Sequence, residues 1–92
     1  MTTAIILLKI SKKQINEVAE TITDLDGVSE VYSVAGQYDL AAVIRAKGDS
    51  QVASLVTEQI LKAEGIISSE TLIAFRTYSR YDLERMFSIG MD

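Results

Sequence analysis

The sequence has no cysteine and no histidine. The first absence removes disulfides, thiolate nucleophiles and zinc–thiolate sites. The second removes the commonest general base and transition-metal ligand. Proline and tryptophan are also missing, and only 5 glycines punctuate the 92 residues. Few positions are therefore committed to turns or linkers. Positive charge is in short supply: 9 Lys and Arg stand against 13 Asp and Glu, a net charge of −4. That balance argues against a nucleic-acid surface. The apolar run at residues 4–8 is too short for a membrane span or a signal-peptide core, and Lys9 closes it. A soluble cytoplasmic protein without a metal site or cofactor is expected.

What remains is an ordinary globular composition, 48% hydrophobic and 24% charged. At this length a single domain is expected, burying roughly 60–65% of its unfolded surface. A core that modest gains from self-association.

Residues 4–8, Ala-Ile-Ile-Leu-Leu, are aliphatic on both parities and read as a strand buried on both faces. Ser11 followed by Gln14 has the spacing of a capping box, with Ile10 and Ile15 placed as a hydrophobic staple. Ile15, Val18, Ala19, Ile22 and Leu25 then recur at helical spacing up to Asp26-Gly27. Residues 28–35 read as a second strand, with Val28, Tyr32 and Val34 on one parity. Gly36-Gln37 reads as a two-residue hairpin turn. Residues 38–46 form the third strand, apolar on both parities at 40–44. Val52, Leu55, Val56 and Ile60 make the buried stripe of a second helix that Gly65 stops. Residues 71–78 form the fourth strand. Leu83, Met86 and Phe87 give the last residues one or two amphipathic turns.

The order is βαββαβ followed by a tail. Gly27 and Gly65, 38 residues apart, each close a helix and open a strand. Two such halves make the α+β ferredoxin-like sandwich, one domain over residues 1–79 with a C-terminal tail at 80–92. In that fold both helices cover one face of the sheet. The doubly apolar inner strands then need a second layer, and a second sheet packed at about 10 Å would supply it. A homodimer of the dimeric α/β-barrel type follows, with the tail docked on the body or on a neighbouring subunit.

Gly36-Gln37-Tyr38-Asp39 is the most informative tetrapeptide. Its turn exposes amides beside the carboxylate of Asp39, which suits a zwitterion: amides for its carboxylate, Asp39 for its ammonium. The alternative is that Asp39 hydrogen-bonds the turn itself. Ser69 and Thr71 share a parity at the start of the fourth strand and offer two hydroxyls to a polar ligand, or simply to solvent. The acidic stretch from Glu17 to Glu30 reads as a solvated face rather than a cation site. Lys9, Lys12 and Lys13 form a small basic cluster, too small for nucleic acid.

With these residues in view, the sequence resembles the effector-binding (RAM) domain of the Lrp/AsnC regulators, in its stand-alone form. Gly27-Val28-Ser29-Glu30-Val31 carries the resemblance, as do Val34-Ala35-Gly36-Gln37-Tyr38-Asp39-Leu40 and the run from Gly65-Ile66 to Glu70-Thr71. The resemblance implies a free amino acid bound between dimers of a higher ring oligomer. Gly36, Tyr38 and Asp39 then fall on the ligand loop, and Ser69 and Thr71 on a Thr-x-Thr pattern that has lost one methyl. It also implies an amino-acid sensor without the family's helix-turn-helix, making no direct nucleic-acid contact and either modulating a full-length Lrp/AsnC regulator or acting as a metabolite-responsive module of its own. Two rivals remain: a small dimeric α/β-barrel monooxygenase or isomerase, and a purely structural interaction module.

Overall fold

The computed structural model describes residues 1–78 and residue 80. The expected tail at 80–92, apart from Arg80, lies outside the described residues. Strand β1 is Thr2–Ile10, helix α1 is Ile15–Thr23, β2 is Val28–Ser33 and β3 is Leu40–Ala46. Helix α2 begins at Asp49–Ser54 and runs on through a π-helical turn, Leu55–Gln59, and a 3-10 turn, Ile60–Lys62. Strand β4 is Ile66–Ala74. The four strands form one antiparallel sheet in the order β2-β3-β1-β4, with two helices, the ferredoxin-like arrangement that the sequence pattern predicts.

The core lies between the helices and one face of the sheet. Ala4, Ile6, Leu8 and Ile10 of β1 meet Leu40, Ala42, Ile44 and Ala46 of β3 there, all buried. Val18 and Ile22 of α1 close the layer, together with Val52, Leu55, Val56 and Ile60. The apolar spacing of both helices therefore does what it predicts. The other parity behaves differently. Ile5 and Leu7 of β1 and Ala41 and Val43 of β3 are only half-buried in the single chain, because no helix lies over that face. Strand β4 stands at the edge: Ser69, Thr71 and Ile73 pair with buried Leu8, Ile6 and Ala4 yet are themselves exposed.

Three local expectations are corrected. The capping box does not form: Ser11 makes no side-chain cap, and its amide donates instead to the Gly65 carbonyl at 2.8 Å. The donor that Gln14 would have satisfied is thus already taken. Ser11 starts a short 3-10 turn, Lys12–Gln14, before α1 proper. Gly36-Gln37 is not a two-residue hairpin, since the ladder ends at Ser33 and Leu40, one further bond joins Val34 to Asp39, and residues 35–38 form a longer loop. Lastly, a bulge between Val28 and Glu30 places Val28 beside Ile44 on the core face, whereas Tyr32 pairs with Ala41 on the open face. Equal parity in the sequence did not survive the extra residue. The strand ends also move: β2 stops at Ser33, β3 starts at Leu40, and β4 begins at Ile66 and ends at Ala74.

The internal repeat is physical. Gly27 has φ 98° and Gly65 φ 101°, both in the left-handed region at a helix-to-strand junction. At Gly65 an added Cβ would also lie 2.8 Å from Gln14 Oε1 and 3.0 Å from Gln14 Cβ. Gly65→Ala is expected to cost about 1–3 kcal/mol through backbone strain. For a domain of this size, each kcal/mol lowers Tm by roughly 4–8 °C, measurable by thermal denaturation.

Candidate functional site

The loop at residues 34–39 is held by Asp39. Its amide donates to the Leu8 carbonyl at 2.8 Å, and its carbonyl accepts from the Val34 amide at 3.0 Å. Its carboxylate Oδ2 accepts from the Ile10 amide at 2.8 Å. Asp39 thus carries the β1 pairing beyond the end of β3, using its side chain where the ladder has run out. This hydrogen bond to Ile10, rather than one within the turn, is the structural part of its role. The second carboxylate oxygen makes no hydrogen bond to the described residues.

Gly36 sits at the tip with φ 124°, and a Cβ built there would meet nothing within 4 Å. The glycine is therefore required by its backbone angle and not by packing. The amides of Ala35, Gly36 and Gln37 have no acceptor among the described residues and are open to solvent. Tyr38 is half-buried and reaches past β1 to β4, where its hydroxyl donates to Glu70 Oε2 at 3.2 Å. The neighbouring carboxylate raises the phenol above its usual pKa, first through that hydrogen bond. Tyr38 therefore stays a neutral donor at physiological pH.

Gly36 and Asp39 line one cavity of about 590 Å³, together with Lys9, Lys12, Lys13 and Ile67. Ile67 is the extra residue of a bulge in β4 opposite Lys9 and Ile10, and it is 63% exposed. Ser69 and Thr71 are not part of this cavity. Their register with Leu8 and Ile6 turns them toward the helical side of the sheet. Thr71 lines a different, apolar cavity of about 370 Å³ against Val52, Val56 and Thr57. Within one chain, then, the turn and the two hydroxyls are not brought together.

Glu70, which pairs with Leu7 on the open face, is the β4 residue that Tyr38 touches. Sequence reasoning passed it over, although its parity, opposite to that of Ser69 and Thr71, was the available signal. It also set aside the three lysines, whose convergence on Asp39 depends on tertiary structure.

A ferredoxin-like sheet with an amide-bearing loop at one end is an architecture that many functions share and defines no particular activity. The match to known proteins is narrower. The family model described as the Lrp/AsnC ligand binding domain matches residues 3–83, and the chain belongs to that family. The Bacillus subtilis (strain 168) protein YugG, described as an uncharacterized HTH-type transcriptional regulator, is 33% identical over 98% of this chain and 55% of its own length. The chain spans about half the length of the curated relatives it matches.

Among solved structures, TTHA0845 from Thermus thermophilus superposes with a TM-score of 0.82 at 42% identity, covering 87% of this chain and 100% of that one. The transcriptional regulator NMB0573 from Neisseria meningitidis, in complex with L-Met, shares the fold at 16% identity. Its TM-score is 0.76, over 86% of this chain and 53% of that one. Among the described residues no helix is long and apolar enough to cross a membrane.

Proposed function

We propose that this chain is an amino-acid effector module that acts through a transcriptional regulator of its own family. The observation that carries this reading is the loop at Gly36, Tyr38 and Asp39. It presents free amides and one free carboxylate oxygen at the mouth of a cavity of about 590 Å³. A zwitterion fits that pair of charges, with its carboxylate on the amides and its ammonium on Asp39. The Neisseria regulator's complex with L-Met supports an amino acid as the ligand class. The regulator names of the relatives favour a binding role over the enzyme reading.

The proposal includes a cytoplasmic homodimer through the open sheet face and assembly of dimers into a ring. Ser69 and Thr71 enter the site in that assembly, from a neighbouring subunit whose helical side meets the loop. A full-length Lrp/AsnC regulator is the proposed target, with DNA contact left to that protein. The 92-residue chain is expected to give no band in a gel shift at physiological salt, as its net charge of −4 implies. A salt-dependent, sequence-specific shift would overturn that division of labour.

The direct test is a thermal-shift screen against the twenty free L-amino acids. A ligand present at 100 times its Kd adds about 2.7 kcal/mol of stability. The expected result is a clear rise in Tm with a small subset. A flat response across all twenty would overturn the reading.

A further inference from the structure

We propose that the cavity beside Asp39 is built for an acidic amino acid, one with a carboxylate in its side chain. The inference rests on the effector-binding reading and adds the ligand's charge class. The observation is a local reversal of charge. The chain as a whole carries −4, yet the cavity gathers Lys9, Lys12 and Lys13 around the single carboxylate of Asp39. None of the three lysine side chains has a hydrogen bond or an ion pair within the described residues. Their positions come from three independent features of the fold. Lys9 stands at the bulge opposite β4, Lys12 and Lys13 occupy the 3-10 turn that replaced the expected cap, and the Gly36 loop faces them.

A neutral zwitterion brings one negative and one positive group. Its ammonium takes the free oxygen of Asp39, and its carboxylate is served by the amides at Ala35, Gly36 and Gln37. Among the described residues the lysines are then left without a counter-charge. A second carboxylate on the ligand removes that surplus. Lysine is a flexible point charge on a long stem, suited to meeting a carboxylate at variable reach. A neutral or basic side chain would leave the like charges facing one another or add to them. The same pattern therefore selects for acidic ligands and against basic ones.

The experiment is calorimetry on the full chain in a low-salt buffer free of phosphate and carboxylate. The probes are L-aspartate and L-glutamate, their amides L-asparagine and L-glutamine, L-leucine, L-lysine, and succinate. The expected result is that one acidic amino acid binds at least tenfold more tightly than its own amide, and that L-lysine is the weakest. Raising the salt from about 50 to about 300 mM should weaken the acid more than the amide. Lys12→Gln with Lys13→Gln, both exposed positions, should abolish the acid's advantage over its amide. Should that variant fail to fold, the ligand ranking and its salt dependence in the wild-type chain still decide.

An amide or L-leucine binding as tightly as the acid would overturn the inference and leave the effector-binding reading standing. Binding by none of the six amino acids, and by none of the remaining fourteen, would overturn both. Succinate binding as tightly as the acidic amino acid would also overturn it, because Asp39 would then hold no ammonium.

Discussion

Val43→Glu is expected to reduce the protein in solution to a monomer of 10.1 kDa that is still folded. Val43 lies at the centre of the open sheet face, paired with Ile5 on one side and Glu30 on the other. With Ile5, Leu7 and Ala41 it forms an aliphatic surface that is only half-buried in the single chain. Leu72, 45% exposed, and Tyr32, 50% exposed, extend that surface toward the two edges.

A second sheet laid on this face would desolvate an introduced charge completely. An unpaired buried carboxylate costs about 3–5 kcal/mol. A two-fold dimer buries two such charges and each 1.4 kcal/mol is a factor of about ten, so the dissociation constant should rise by roughly four to seven orders of magnitude. In the monomer the same side chain can reach water, so the helical core on the opposite face is undisturbed. Because Glu30 stands beside Val43, Val43→Lys is the necessary companion: its charge has the opposite sign and attracts Glu30. Desolvation penalises either sign, so both variants should dissociate. Light scattering and circular dichroism read the two effects separately. A wild-type chain that is itself monomeric at micromolar concentration, or variants that keep the wild-type mass, would rule out the sheet-to-sheet contact.

Asp39 should respond as strongly, and two substitutions separate its two roles. Asp39→Ala removes the acceptor of the Ile10 amide as well as the charge. A hydrogen bond to a charged group is worth about 1.5–3 kcal/mol, so this variant should lose stability and bind its amino acid roughly ten- to hundredfold more weakly. Asp39→Asn keeps a carbonyl oxygen for Ile10 and loses only the charge. It should melt close to wild type and yet lose most of the affinity. Denaturation and calorimetry on the same preparations give the comparison. If Asp39→Asn binds as wild type does, the carboxylate serves the backbone alone.

The sequence made the layering of the fold legible because burial follows period. The stripe of Val52, Leu55, Val56 and Ile60 survives even though the helix passes through a π-turn between them. Gly27 and Gly65 could be read as stops because each needs a positive φ that other residues resist. What escaped was decided by partners distant in sequence. The Ser11 amide was lost to Gly65, so a local capping pattern had nothing left to satisfy. The anchoring of Asp39 escaped in the same way, since its carboxylate bonds the Ile10 amide 29 residues away. The bulge after Val28 reversed the face of Tyr32, which parity counting cannot detect.

The candidate site follows the same division. Gly36, Tyr38 and Asp39 were legible as a local motif and do sit together at one end of the sheet. Ser69 and Thr71 lie apart from them within one chain, because the strand order of this fold places β4 beyond β1 and turns those hydroxyls to the helical side. The lysines at positions 9, 12 and 13 gain meaning only once β1 and the loop are brought together.

Whether an amino acid binds at the Gly36–Asp39 loop can be read residue by residue in an NMR titration. The amide resonances of a nitrogen-15-labelled chain would be followed while adding the amino acid that raises Tm most. Saturable shifts are expected for Ala35, Gly36, Gln37, Tyr38 and Asp39 and for the neighbouring residues 9–13. Gly27, Arg45 and Gln51, which line a cavity at the other end of the sheet, should stay in place. Shifts confined to that far cavity, or a loop that does not respond at saturation, would place the ligand elsewhere and refute the assignment of Gly36, Tyr38 and Asp39.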